Sequence, residues 1–438
     1  MGISADPENP VRVRAFREHT IQCLVLGEYT KGGDYVLETF IIYLVGETFQ
    51  SKDAEVGLWL VQGMLVQLAL SLGYHRDPRS FPNISPFAGE MRRRIWAMVV
   101  SLDLRLSSQM ALPRLLKLQQ YDTAEPRNLL DTDFDETTVE LPPSRPETEV
   151  TPILYSLARS RVDKMNGLVS DFVNDIQEHP YTEVMEIDQK LKDAEALLPP
   201  IFRWQPLRQS FIVPPQIVMH RVLTQLSIQR VIIWLHRKYL APSYQEQKYE
   251  YSRSACVHAA ITVLEFQQIV EEETQRDGLL YSVRWVFMSS RPQAVFLLGI
   301  SILCYYAQLA KSRPDVSVDE DTGVKIYHLL RNTYSLWSRS STLSREARRA
   351  IDYLSLLLGL QGLEESGSPL AAASQDPEIS LDQFTWDAYE GNFTRWYLTG
   401  YPSLLSHSLP RYPLITSPTL AGPVSPSSRL SQPDMPTQ

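Results

Sequence analysis

Apolar residues along this chain recur mostly at three- and four-residue steps, the period that lays one stripe along an α-helix. From Glu90 onward, Met91, Ile95, Met98, Val99, Leu102 and Leu106 fall on such a stripe, with Arg92, Arg93 and Arg94 near its start. The same pattern predicts helices over Lys190–Leu198, Ile217–Tyr239, Ala255–Val270 and Arg345–Leu360. Proline interrupts it between them, as in Leu198-Pro199-Pro200 and Val213-Pro214-Pro215. Its ring removes a backbone donor and clashes with the turn before it. No run of short alternating segments suggests a sheet. The expected fold class is all-α.

Val56–Leu72 and Ala294–Ala310 are apolar nearly all round. Each is about 17 residues, at the bottom of the membrane-spanning range, and Gln62, Gln67 and Gln308 interrupt them. They read as core helices of a large helical domain, with a membrane protein as the alternative. Glu136–Pro152 is acidic and Pro-rich and reads as an internal loop. Beyond Pro402 the chain is dense in Pro and Ser, which predicts a disordered tail. The domain expectation is therefore an N-terminal segment 1–20, a helical domain 21–401 and a tail 402–438.

The chain has 438 residues, 44% hydrophobic and 21% charged, with formal net charge −9 and 10% aromatics. That is globular composition with enough chain for a large core, neither collagen-like nor wholly disordered. The acidity argues against a bulk surface that grips phosphate backbones. Cys23, Cys256 and Cys304 lie too far apart for metal-ligand spacing and do not form a disulfide framework. The N-terminus shows no apolar signal-peptide core, so a reducing compartment, cytosol or nucleus, is expected. The glycosylation tripeptides Asn83-Ile84-Ser85 and Asn392-Phe393-Thr394 then carry no weight.

Catalytic motifs are missing: no nucleophile elbow, no phosphate-cradling glycine loop, no zinc-protease helix. His75-Arg76-Asp77 resembles the start of a kinase catalytic loop, but Pro82 stands where the magnesium-binding Asn belongs, and residues 133 to 135 read Asp-Phe-Asp instead of Asp-Phe-Gly. A helix exit stopped by Pro78 accounts for it. His236 and His258 are conceivable ligands, yet neither has a ligand-type partner one helical turn away, so satisfied or surface histidines are expected. Consecutive residues on a helix point about 100° apart, so Arg92, Arg93 and Arg94 are expected in ion pairs that fix their helix to its neighbours, with Trp96 in the core. Asp131-Thr132-Asp133-Phe134-Asp135 is the one cluster that a magnesium-dependent, terpene cyclase-like helical enzyme could use.

Taken together, these segments resemble the fungal-specific transcription factors. Leu68-Ala69-Leu70-Ser71-Leu72-Gly73-Tyr74-His75-Arg76-Asp77-Pro78 is similar to that family's helix exit, followed by Ser85-Pro86-Phe87 and a helix start Glu90-Met91-Arg92-Arg93-Arg94-Ile95-Trp96, with Asp103 further on. The family's Gly-(Arg/Lys)-Pro is Ala111-Leu112-Pro113 here, a departure, whereas Tyr121-Asp122 and Pro126-Arg127-Asn128-Leu129-Leu130-Asp131 match. Ile233–Leu240, Phe296–Cys304 and Ser335–Ala347 extend the resemblance, which covers roughly residues 50 to 400.

The resemblance implies a large multi-helix regulatory domain in a nuclear transcription regulator of a dedicated metabolic gene set. Its implied partners are other regulators or coactivators, a homo- or heterodimer partner, and a small-molecule effector. The family's zinc binuclear cluster needs six closely spaced thiolates, which three distant cysteines do not supply. No zinc, cofactor, catalytic residue or sequence-specific DNA contact is therefore expected of this chain. A longer protein with an upstream DNA reader and a regulator without one both remain open at this point. Asp376–Tyr401, acidic and rich in aromatics, reads as a last helix docked on the domain, with a coactivator-binding activation segment as the competing reading.

Overall fold

Every regular element in the computed structural model is helical, over the residues it describes: 10–51, 56–110, 112–210, 212–287, 290–312, 320–338 and 345–359. All lie in the compact unit Met1–Trp396; the second unit, Tyr397–Gln438, falls outside them. Ala111, the Asp376–Tyr401 segment and the expected tail 402–438 also lie outside the described residues. The α-helices are α1 (Pro10–Leu26), α2 (Val36–Gln50), α3 (Val56–Ser71), α4 (Pro86–Gln109), α5 (Leu154–Val173) and α6 (Tyr181–Ala196). After them come α7 (Pro215–His236), α8 (Glu250–Glu273), α9 (Arg284–Phe287), α10 (Ser290–Ser312), α11 (Glu320–Ser338) and α12 (Arg345–Leu357). Helix α1 runs across the 20/21 boundary of the sequence reading.

Helix starts follow local chemistry. Ser85 Oγ accepts the Ala88 N–H at 3.2 Å, and Pro86 occupies the first turn of α4, where its missing donor costs nothing. Pro214 and Pro215 open α7 in the same way.

Two large apolar cores result. Leu44, Leu65, Trp96, Val99 and Leu102 join α2, α3 and α4. Val222, Ala260, Leu264, Ile300 and Leu303 join α7, α8 and α10. Helix α7 also packs Ile228 against Leu154 and Ala158 of α5, and Val231 and Leu235 against Val184 and Leu191 of α6. It is buried on several sides, so its sequence carries no narrow stripe.

Pro292–Ala310 of α10 is the one candidate among the described residues long and apolar enough to cross a membrane by length and composition, with mean hydropathy 1.6. Its apolar face is occupied inside the fold, with Ile300, Leu303 and Cys304 in the α7–α8 core. Gly299 permits that approach: a Cβ there would stand 2.9 Å from Val263 Cγ1. Helix α3 departs from the core-helix expectation. Leu58, Gln62, Leu65, Val66 and Ala69 are buried, but Leu60 is 58% and Met64 45% exposed. On α4 the stripe residues Ile95, Val99, Leu102 and Leu106 are buried as expected, as is Trp96; Met98 departs by pointing outward, and Arg93 and Asp103 turn inward beside them.

The loop read from residue 136 is longer than expected, because no α-helix forms between Gln109 and Leu154. It is held by side chains instead. Asn128 Nδ2 donates to the carbonyls of Arg145, Pro146 and Glu149, each at 3.2 Å, and its Oδ1 accepts from Thr151 at 2.6 Å. Asp103 organises the chain after α4 by accepting Leu115 N–H and Leu116 N–H, with Gln62 Nε2 as a third donor at 2.9 Å.

Candidate functional site

The kinase-like fragment is a structural clamp. Asp77 ends the exit from α3 and caps the short 3-10 turn Pro78–Ser80, accepting Arg79 N–H at 3.1 Å. Arg93 reaches it from α4 with two bonds, Nε to Oδ2 at 3.1 Å and Nη2 to Oδ1 at 3.0 Å, and Ala124 N–H adds a third anchor at 3.0 Å. Burial opposes ionisation of this carboxyl, yet Arg93, Ala124 and Arg79 together hold it well below the usual carboxylate range. The 121–124 segment lies along the exit: Asp122 N–H donates to His75 O at 3.1 Å, Asp77 N–H to Asp122 Oδ1 at 2.8 Å, and Thr123 Oγ1 to Tyr74 O at 2.7 Å.

The three consecutive arginines go to three different places. Arg92 donates to Leu72 O at 2.9 Å and lies 4.0 Å over the Tyr74 ring. Arg93 takes Asp77, and Arg94 bonds Glu90 at 3.3 Å and Asp131 at 2.9 Å. Glu90 is fully buried, and desolvation raises its pKa against the pull of Arg127 N–H and Arg94. Trp96 is buried edge-on against Tyr121 at 5.4 Å. The expected ion pairs form at Arg93 and Arg94, whereas Arg92 is held by a carbonyl and a ring instead.

His236 is fully enclosed. Its Nδ1 meets Ser252 Oγ at 2.8 Å and its Nε2 meets Asp188 Oδ1 at 3.2 Å. That is the order of a nucleophilic triad, but Ser252 is itself fully buried and also bonds Tyr181 OH at 2.8 Å, so no substrate carbonyl can reach its oxygen. Lys192 Nζ and Tyr251 OH complete Asp188 at 2.8 and 2.6 Å. Burial works against its ionisation, and His236, Lys192 and Tyr251 outweigh that to hold it well below the usual range. The result is a polar tie between α6, α7 and α8. The sequence gives little sign of it, because the partners sit on different helices.

Beside this tie a cleft of ≈ 270 Å³ opens between the same helices, lined among others by Lys192, Glu195, Gln229, Ile232, Tyr251 and His258. It lies near the lower limit of small-ligand sites, with polar groups over an apolar wall. His258 is exposed here, whereas Cys256 is buried and its thiol pushed up by desolvation. The aspartates of the 131–135 cluster are committed elsewhere: Asp133 takes both oxygens to Arg145 at 2.7 Å, and Asp135 accepts from Thr137 at 2.7 Å. Among the described residues no three His, Cys, Asp or Glu side chains are grouped to hold a metal ion.

Residues 38–171, which contain the clamp, match the family described as fungal specific transcription factor domain. The pyrrolocin cluster transcription factor fsdR of Fungal sp. (strain NRRL 50135) is 48% identical over 83% of this chain and 48% of its own length. Transcription factor phm2 of Pyrenochaetopsis sp is 44% identical over 88% of this chain and 53% of its own. Transcription factor cghF of Chaetomium globosum is 42% identical over 89% of this chain and 69% of its own. The chain thus spans about half the length of the first two relatives. No solved structure matches it.

Proposed function

The chain belongs to the fungal-specific transcription factor family, and from that premise we propose that it regulates transcription in the nucleus instead of catalysing a reaction. The observation that carries this reading is the extent of the likeness, which runs through both cores and the Asp77 clamp alike. The internal chemistry agrees with it. Its most triad-like group is sealed, and its candidate magnesium aspartates are spent on loop contacts.

A scaffold of this kind acts through its surface. Leu26, Ile42 and Leu60 on α1, α2 and α3 are large apolar side chains left exposed, suited to contacts with other regulators, coactivators or a second copy. The cleft beside Asp188 suits a small effector. Net charge −9 and inward-turned signature arginines disfavour sequence-specific DNA contact by this chain itself. The name of the relative fsdR links that protein to one cluster, and we extend the idea to control of a single dedicated metabolic gene cluster here. Deleting and restoring the gene, with transcripts measured genome-wide, tests it. One contiguous gene set should change several-fold and recover; unchanged transcripts would reject the reading.

A further inference from the structure

Asp163 of α5 stands among three arginines from three helices. Arg159 Nε donates to its Oδ1 at 2.9 Å, Arg105 Nη2 of α4 lies 3.9 Å from its Oδ2, and Ser101 Oγ donates to that oxygen at 2.8 Å. Arg230 of α7 completes the group: its charge acts on Asp163, and the charges of Arg159, Asp163 and Arg105 act on it. Asp163 is the one carboxylate, among the described residues, whose charge acts on Arg105 and Arg230. Three guanidinium groups against one carboxylate leave the junction two positive charges in excess.

That imbalance differs from the paired arginines, and from Arg221, which is buried singly against Ile201 O and Ser210 Oγ. Arg93 has Asp77, and Arg114 has both oxygens of Asp171 at 3.0 and 2.6 Å. At the α4–α5–α7 junction, Arg105 Nε and Arg230 Nε are buried donors without a hydrogen-bond partner. Desolvation and the neighbouring arginines lower the pKa of Arg105, and that of Arg230 to about 10. A buried cation short of a counter-charge is costly, and a planar guanidinium fork fits carboxylate and phosphate oxygens. Access exists, because the Arg105 side chain is 26% exposed whereas those of Arg159 and Asp163 are nearly covered.

We propose that the α4–α5–α7 junction binds a small dianion, a dicarboxylate or a phosphate-bearing metabolite, through Arg105 and Arg230, with Arg159 held in place by Asp163. The two excess charges set the ligand charge, and the part-exposed Arg105 side chain is where its oxygens first meet the junction. This site is distinct from the cleft at Asp188, and its binding stands whether or not the chain regulates transcription.

Titration calorimetry on the full 438-residue chain, with inorganic phosphate and malonate as probes and chloride matching the ionic strength, tests the proposal. Saturable binding of at least one probe is expected; phosphate alone would point to a phosphate-bearing ligand and malonate alone to a dicarboxylate. Arg105→Gln and Arg230→Gln should each weaken it at least about tenfold, while Arg145→Gln, at the Asp133 pair, should leave it unchanged. Arg230→Lys, which keeps the charge but removes the fork, serves if a glutamine variant loses its helicity by circular dichroism, and it too should bind more weakly. Absence of saturable binding by both probes, or equal binding by well-folded Arg105 and Arg230 variants, would overturn the proposal.

Discussion

Arg93 and Asp77, sixteen residues apart, form a two-bond ion pair whose side chains are only 10% and 6% exposed. Helix α4 is thereby pinned to the exit of α3, and through Ala124 N–H the same carboxylate also fixes the segment that follows α4. Two fragments that look like a charge run and a catalytic motif in the sequence are two halves of one joint.

Removing one half should cost far more than a surface ion pair. Asp77→Ala strands a buried guanidinium and should destabilise the fold by about 3–5 kcal/mol. Glu28→Ala, at the exposed pair with Lys31, should cost under about 1 kcal/mol. Urea unfolding of both variants measures the difference, and similar small losses would mean that the clamp does not hold α4.

The buried face of α4 makes its own prediction. Trp96→Ala empties a buried site against Tyr121 and should cost about 3–5 kcal/mol. Met98→Ala, on the apolar stripe but pointing outward, should cost under about 1 kcal/mol. Equal losses in thermal or urea unfolding would mean that Trp96 does not anchor the buried face of α4.

His220 predicts a pH dependence. Burial lowers its pKa from 6.5 to about 4, with its ring stacked 3.6 Å from Tyr155. A histidine with a depressed folded pKa favours the neutral form in the fold. Its contribution is therefore complete above the unfolded value near 6.5 and shrinks as pH falls toward 4. His220→Phe keeps a ring in the stack and should flatten the loss of stability between pH 6.5 and 4.5. A wild-type slope retained in the variant would contradict this assignment.

The buried Ser252–His236–Asp188 chain should behave as a tie. Ser252→Ala leaves His236 and Tyr181 each short of a partner and should destabilise by about 1–3 kcal/mol. Activated-ester hydrolysis should be indistinguishable between wild type and variant. Turnover abolished by Ser252→Ala would show that the serine is reached by substrate after all.

Legibility in the sequence followed periodicity. Apolar spacing marks α4, α8 and α12, flanking prolines mark the starts of α4 and α7, an unbroken apolar run marks α10, and the clamp fragments are legible as a resemblance. Helix α5 is not, since its inner face carries Arg159, Asp163, Asn166 and Ser170, buried polar groups that mimic a solvent face. Helix α3 looks like a core helix by composition, yet Leu60 and Met64 face outward. The pairings themselves lay beyond reach: His236 meets Asp188 across 48 residues and two helices, which no local spacing encodes.

The central claim, that this helical chain acts on transcription, is tested most directly by fusing all 438 residues to a foreign DNA-binding domain and measuring a reporter with the matching site. Reporter output is predicted to change several-fold, in either direction, relative to the DNA-binding domain alone, and the change should vanish with Asp77→Ala. A fusion that is abundant and nuclear yet leaves the reporter at the level of the DNA-binding domain alone would contradict the claim.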